Sequence, residues 1–185
     1  MKKVLIVGDF HIPTRANRIP PKVQAELESE TYDVVLCTGD LISNSILKWL
    51  DKVGDEVYVV KGNMDFLKLP EKLSVRIESL KWGLFHGSGI FPRGNIAQLT
   101  RVASQMDVDV LVHGHTHVLS INEVKHDDKT ILLVNPGSAT GVWSGSGGSL
   151  IPSFIKAIVS NRDIELICFE LISDNLRSRH TFFSL

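Results

Sequence analysis

The sequence of 185 residues has only two cysteines, almost no net charge and no block of basic residues. Cys37 and Cys168 each lie in an apolar, strand-like run without a CxxC pattern, which favours buried free thiols over a disulfide or a zinc–thiolate site. A reducing, cytoplasmic compartment is consistent with this. The net charge of −1 argues against a large footprint on nucleic acid or on an anionic membrane.

The chain also lacks a long apolar run near its N-terminus. Residues 4–7 are followed at once by Gly8 and Asp9, whereas a membrane span needs ~20 apolar residues. We therefore expect a first β-strand there, and neither a signal peptide nor a transmembrane segment. The hydrophobic fraction of 43% and the charged fraction of 22% are typical of a soluble globular protein, and the length predicts one domain over residues 1–185.

Two histidines follow a short β-favouring run in the second half of the chain. The run ends at Gly114, and His115 and His117 come next, at a spacing of two. In extended backbone both imidazoles lie on one side of the segment. The spacing alone leaves two alternatives, a metal site or an ordinary polar loop.

The same construction occurs four more times in the sequence. Each time a short apolar run ends at a glycine beside a residue that can bind a metal. The runs are too brief for helices and rich in β-branched or aromatic residues, so they predict buried strands. The candidate ligands at the five strand ends are Asp9, His11, Asp40, Asn63, His86, His115 and His117.

Helices and strands are predicted to alternate in the first third of the chain. Strands are predicted over residues 4–7, 34–37 and 57–60, and helices over about residues 21–30 and 44–53. Parallel strands need such crossovers, and the loops at their carboxyl ends form the crevice in which α/β proteins place their sites. We therefore expect the candidate ligands to meet at one edge.

The pattern changes after Leu73. A hairpin is predicted over residues 75–85, and further strands, partly antiparallel, over 118–124, 131–134 and 155–171. These elements together predict two mixed sheets packed face to face with helices outside.

A further helix is predicted over residues 95–105, with Ile96, Leu99 and Val102 towards the core. The glycine- and serine-rich stretch Trp143–Ser149 predicts a mobile loop rather than a domain linker, because strand-like sequence resumes directly after it.

The candidate ligands are of a mixed type. Three Asp or Asn oxygens and four imidazoles suit Mn²⁺, Fe²⁺, Co²⁺ or Zn²⁺ better than Mg²⁺ or Ca²⁺. Seven ligands exceed what one ion needs, whereas two ions that share one carboxylate would use them all. Such a pair activates water and neutralises a phosphoryl oxygen, so the ligand set favours phosphoester hydrolysis.

Five motifs, in order, resemble those of the calcineurin-like metallophosphoesterase superfamily. They are Gly8-Asp9-Phe10-His11, Gly39-Asp40, Gly62-Asn63, His86-Gly87 and Gly114-His115-Thr116-His117. Nearly the whole chain is similar to the retromer small-subunit branch of that superfamily, notably in residues 8–13, 36–39, 107–110, 135–141 and 151–154.

The resemblance implies an α/β/β/α sandwich and two divalent ions, Mn, Zn or Fe. It implies Asp9, His11 and His117 on one ion and Asn63, His86 and His115 on the other, with Asp40 bridging both. Asp40, Asn63 and His86 are then expected to be the catalytic residues.

Met64 departs from the pattern of many active superfamily members, which have a histidine there that acts on the leaving-group oxygen. A thioether has no ionisable proton, and losing a general acid typically costs ~10²- to 10⁴-fold in rate. We therefore expect a phosphodiesterase with weak monoesterase activity that tolerates aryl diesters best. Asp65 is interpreted as a loop cap and not as a substitute acid.

The retromer branch also implies an alternative function, a non-catalytic scaffold for protein sorting. Such a subunit would bind a large helical-solenoid partner and, through it, endosomal-type membranes. Leu150 and Ile151 are the candidate partner-binding residues. Arg93, shortly after His86, is either a ligand for a substrate phosphate or an ordinary exposed loop residue.

Overall fold

The computed structural model describes residues 1–185, with eleven strands and three helices. In chain order they are β1 Lys2–Val7, α1 Pro21–Leu27, β2 Tyr32–Cys37, α2 Asn44–Val53, β3 Gly54–Val59, β4 Lys72–Ile77, β5 Leu80–Phe85, α3 Ile96–Gln105, β6 Val110–His113, β7 Leu119–His126, β8 Lys129–Pro136, β9 Ser153–Ser160, β10 Asp163–Ile172 and β11 Asn175–Ser184. None of the helices is long and apolar enough to cross a membrane.

The strands form two mixed sheets. The six-stranded sheet has the order β11-β10-β9-β1-β2-β3, and the five-stranded sheet has the order β4-β5-β6-β8-β7. The pairs β1–β2, β2–β3, β5–β6 and β6–β8 are parallel, and the other pairs are antiparallel. The predicted pair of mixed sheets is therefore confirmed.

Alternate residues of β1 show how the layers pack. Val4 and Ile6 belong to the apolar cluster between the sheets, which also contains Trp82 of β5. Leu5 and Val7 point the other way, into the cluster that holds Leu50 of α2. A strand buried on both faces reads as a continuous apolar run, as this one does.

The outer face of the second sheet is covered by α3. Asn95 caps this helix, because its side chain accepts a hydrogen bond from the Gln98 N–H. Leu99 and Ala103 form the buried stripe with strand residues. The prediction that Ile96 faces the core was wrong, since Ile96 is 37% exposed. The buried stripe of α3 passes through Leu99 and does not include Ile96 in the first turn of the helix.

Two strands of the first sheet differ from the sequence-based expectation. Gly54 follows α2 directly and has extended backbone with φ of −140°, so β3 begins there and not at residue 57 as predicted. A side chain there would collide with Val35 of β2. The last strand, β11, was not predicted, because its residues are mostly polar and exposed; it pairs with β10 along its whole length.

Loops from both sheets meet where the parallel strands end. The Asp9 N–H donates to the Gly39 carbonyl at 2.9 Å, which joins the loops after β1 and β2. The His115 N–H donates to Asp9 Oδ2 at 3.1 Å, which joins the loop after β6 to the first sheet. The expected meeting of strand ends at one edge is therefore observed.

Candidate metal centre

Five of the seven candidate ligands have a backbone conformation that is rare for residues with a side chain. Their φ values are 50° for Asp9, 50° for His11, 53° for Asp40, 71° for His115 and 57° for His117. Positive φ costs non-glycine residues energy and persists only where the surrounding structure enforces it, which is common at functional sites.

Two glycines allow the ligand loops to approach one another closely. A Cβ atom on Gly62 would collide with the backbone and carboxylate of Asp40, and one on Gly114 would collide with Asp9 and Thr38. A larger residue at either position would push a carboxylate out of place, which explains the glycines directly before Asn63 and His115.

We call Asp9, His11, Asp40 and His117 the buried half of the site. Their ligand atoms all lie within 4.8 Å of one another. His11 Nε2 lies 3.1 Å from His117 Nε2 and 3.2 Å from Asp40 Oδ2, and His117 Nε2 lies 3.2 Å from Asp9 Oδ1. Tetrahedral ligands at ~2.0–2.1 Å from an ion lie about 3.3 Å apart, so these separations fit one ion.

Asn63, His86 and His115 form what we call the open half. His86 Nε2 lies 3.0 Å from Asn63 Oδ1 and 3.2 Å from His115 Nδ1. It also lies 3.5 Å from Asp40 Oδ2, the same oxygen that contacts His11. Asp40 therefore connects the two halves through one carboxylate oxygen.

Backbone carbonyls fix the orientation of two histidines. His86 Nδ1 lies 2.7 Å from the Thr38 carbonyl, and His117 Nδ1 lies 2.7 Å from the Val142 carbonyl. A carbonyl only accepts, so Nδ1 of each ring carries a proton, and Nε2 is the nitrogen that each ring turns towards the other ligands and could offer to a metal. Neither carbonyl could be predicted from the sequence, because a backbone group leaves no residue-type signal.

The donor atoms of the buried half are suited to hold a cation. His117 Nδ1 faces the Val142 carbonyl and its Nε2 faces Asp9 Oδ1, which is buried without a hydrogen-bond partner. Native proteins rarely leave buried polar atoms unpaired, and positive charge between these two atoms would satisfy both. The residues present therefore fit a divalent metal.

The ionisation of the site also favours metal binding. Burial lowers the pKa of His11 and of His115 to about 4, so both rings are neutral at neutral pH. Burial opposes the charged forms of Asp9 and His117, yet their mutual contact holds the pKa of Asp9 below its ordinary value and that of His117 above it. For Asp40 burial dominates and raises the pKa; like charge from Asp9 adds to this, as expected of carboxylates crowded for a cation.

Asp65 holds the loops that carry Asp40 and Asn63. Its carboxylate accepts hydrogen bonds from the backbone N–H groups of Asp40 at 2.8 Å, Ile42 at 2.8 Å and Gly62 at 2.9 Å. The interpretation of Asp65 as a loop cap is confirmed, since both oxygens are used by backbone donors.

The remaining candidate residues differ in exposure and in their contacts. Met64 is half-buried and its N–H donates to Asp40 Oδ1 at 2.8 Å. Arg93 is exposed, and its Nη1 donates to the Ser144 carbonyl at 2.8 Å. Leu150 is 63% exposed, and Ile151 is half-buried.

A family model described as the calcineurin-like phosphoesterase superfamily domain matches residues 1–154. A protein of Methanocaldococcus jannaschii described as a probable metallophosphoesterase is 38% identical over 135 residues, which is 73% of this chain and 67% of that protein.

Solved structures of vacuolar protein sorting 29 (Vps29) are similar along the whole chain. Vps29 from Cryptosporidium parvum has a TM-score of 0.91 and 30% identity, covering 100% of this chain and 98% of that chain. Wild-type Vps29 from Entamoeba histolytica, complexed with Zn²⁺, has a TM-score of 0.87 and 33% identity, covering 98% of this chain and 99% of that chain.

Proposed function

The chain belongs to the calcineurin-like phosphoesterase superfamily, and from that premise we propose that it is a metal-dependent phosphodiesterase with a dinuclear site. The single observation that carries the proposal is the position of Asp40. One oxygen of its carboxylate lies 3.2 Å from His11 Nε2 and 3.5 Å from His86 Nε2. A carboxylate placed between two sets of lone-pair donors is suited to bridge two cations.

The buried half would hold one divalent ion, and Asn63, His86 and His115 would hold the second with Asp40. Manganese, zinc or iron suits this mixed oxygen and nitrogen set, and the Vps29 complex with Zn²⁺ supports that choice. Divalent ions bound there supply Lewis acidity, which activates water and offsets negative charge on the phosphoryl group. The substrate phosphoester would enter at the open half, where Asn63 is exposed.

Met64 limits the leaving groups that the site can accept. It follows Asn63 directly and its N–H donates to Asp40 Oδ1, but a thioether cannot donate a proton to a departing oxygen. Aryl diesters, whose leaving groups depart without help, should therefore react much faster than alkyl monoesters.

Rates on bis(p-nitrophenyl) phosphate and on an alkyl phosphomonoester, with Mn²⁺ present, test this role of Met64. We expect the Met64→His variant to gain ~10²-fold or more on the monoester, the usual contribution of a positioned acid. The Met64→Leu variant is the matched control and should stay at the wild-type rate. Comparable wild-type rates on both substrates would contradict the proposal.

A second candidate function is a scaffold that binds a helical-solenoid partner. It is favoured by the likeness to Vps29 and by Leu150, an exposed apolar side chain on a residue with φ of 57°. Capture of such a partner should be lost in Leu150→Asp or Ile151→Asp and kept in Phe182→Asp, an equally exposed apolar position on β11. Unchanged capture in all variants would contradict the scaffold function.

A further inference from the structure

The segment of residues 142–149, which we call the site loop, is fastened by two arginines. Arg15 Nη1 donates to the Trp143 carbonyl at 2.8 Å, and Arg93 Nη1 donates to the Ser144 carbonyl at 2.8 Å. These are consecutive carbonyls, so the two guanidinium groups converge on one point of the loop. The preceding carbonyl, that of Val142, accepts from His117.

The two arginines reach the site loop from the two halves of the site. The Arg15 N–H donates to the His11 carbonyl at 2.8 Å, so Arg15 lies one turn beyond a ligand of the buried half. Arg93 lies on the segment that follows His86 of the open half. Neither forms an ion pair with a carboxylate of the chain, so both charges are free for a bound anion.

Trp143 presents an aromatic ring beside this positive charge. The Arg15 guanidinium carbon lies 5.9 Å from the ring centroid, within the range of a cation–π contact. The residue is nevertheless 56% exposed. The carbonyls on both sides of its Cα are held, by His117 and by Arg15. The backbone that carries the ring is thus held beside His117, and the ring itself faces solvent.

Most large apolar side chains that are exposed lie on segments near a candidate ligand in the chain. Of the eight, five lie within five residues of a candidate ligand or beside a residue that hydrogen-bonds one, namely Phe66, Phe91, Val118, Trp143 and Leu150. A polar site with apolar side chains nearby matches a ligand that combines an anionic group with a flat apolar group.

We propose that Trp143 and Arg15 form a subsite that stacks a planar aromatic group of the substrate, so that the preferred substrates are phosphodiesters bearing a nucleobase or an aryl ring. The inference rests on the proposed phosphodiesterase function, and it names the substrate class of that site. Stacking uses the π-face that all such rings share, so the subsite should discriminate little among bases. Arg15 also attracts the phosphate from the side of the buried half.

Substrates with a common leaving group separate this stacking from leaving-group chemistry. We would compare thymidine 5′-p-nitrophenyl phosphate, phenyl p-nitrophenyl phosphate and methyl p-nitrophenyl phosphate, with Mn²⁺. We expect wild-type kcat/KM to be at least ~10-fold higher for either diester that carries a second ring, on the group that is not the leaving group, than for the methyl diester. Trp143→Ala should lose this preference, Trp143→Phe should keep most of it, and Phe182→Ala should leave it unchanged. The thymidine and phenyl arms distinguish a nucleobase site from a general aryl site.

A binding measurement keeps the inference testable without turnover. Thymidine 5′-monophosphate should shift the indole N–H resonance of Trp143, assigned with Trp143→Phe, while the resonance of the fully buried Trp82 stays in place. If the wild type hydrolysed none of the three diesters, the phosphodiesterase function would be refuted, whereas a shifted indole resonance would still support the stacking subsite. An unshifted indole resonance, or a ring preference that survives Trp143→Ala, would overturn the subsite. The exposed apolar side chains would then be better explained by a protein partner.

Discussion

The two halves of the site differ in burial and in backbone strain. The four residues of the buried half are at most 2% exposed, and all four have positive φ. In the open half Asn63 is exposed, His115 is half-buried and His86 is fully buried, and only His115 has positive φ. One half is therefore rigidly preorganised by the strand ends, and the other is accessible to solvent and substrate.

This difference predicts different roles for the two halves in binding metal and substrate. A ligand set that is assembled before the metal arrives binds it tightly, because little ordering remains to be done. A more exposed set can exchange ligands with water and substrate. We infer that the buried half holds its ion firmly and that the open half takes part in substrate binding as well as in metal binding.

The largest expected effect comes from removing one ligand from each half. His117→Ala should abolish detectable turnover and weaken metal binding well beyond the ~10–100-fold typical for residues that only orient ligands. Asn63→Ala should keep one of the two ions, because the buried half remains complete. Metal content per chain after dialysis, measured by mass spectrometry, tests this. If both variants lost the same number of metal ions, the proposed difference in metal affinity between the halves would be contradicted.

Asp65→Asn should weaken metal binding by ~10–100-fold, since Asp65 orients the Asp40 loop without itself being a ligand. The asparagine side chain has one acceptor oxygen in place of two. Its NH₂ group would face a backbone N–H group that now donates to the Asp65 carboxylate. Isothermal titration with Mn²⁺ measures the change, with Asp51→Asn on exposed helix surface as the control. Wild-type affinity in Asp65→Asn would contradict this positioning role.

A smaller effect concerns the backbone strain itself. His11 has φ of 50°, where glycine is favoured, so His11→Gly should leave the metal-free protein about 1 kcal/mol more stable than His11→Ala. The order should reverse at Asn63, whose φ is not positive, because glycine there only adds chain entropy. Chemical denaturation of the four metal-free variants measures these differences; the same order at both positions would show that strain does not separate the halves.

The position of the site could be predicted from the sequence because short apolar runs ending in Gly plus a ligand identify parallel strand ends. The contacts that make the site work could not. The carbonyls of Thr38 and Val142 orient histidines through the backbone, and the arginine contacts to the site loop join residues far apart in the chain. The strand β11 was not predicted because a polar edge strand lacks the alternation of apolar and polar residues that indicates a strand.

A dinuclear phosphodiesterase site is most directly tested by hydrolysis of bis(p-nitrophenyl) phosphate by the metal-stripped protein with Mn²⁺ added back, beside Asp40→Ala. We expect turnover that requires Mn²⁺ and is absent in a folded Asp40→Ala variant, because that carboxylate contacts both halves. Absence of turnover in the wild type with two metals bound per chain, or full activity in Asp40→Ala, would contradict a dinuclear phosphodiesterase.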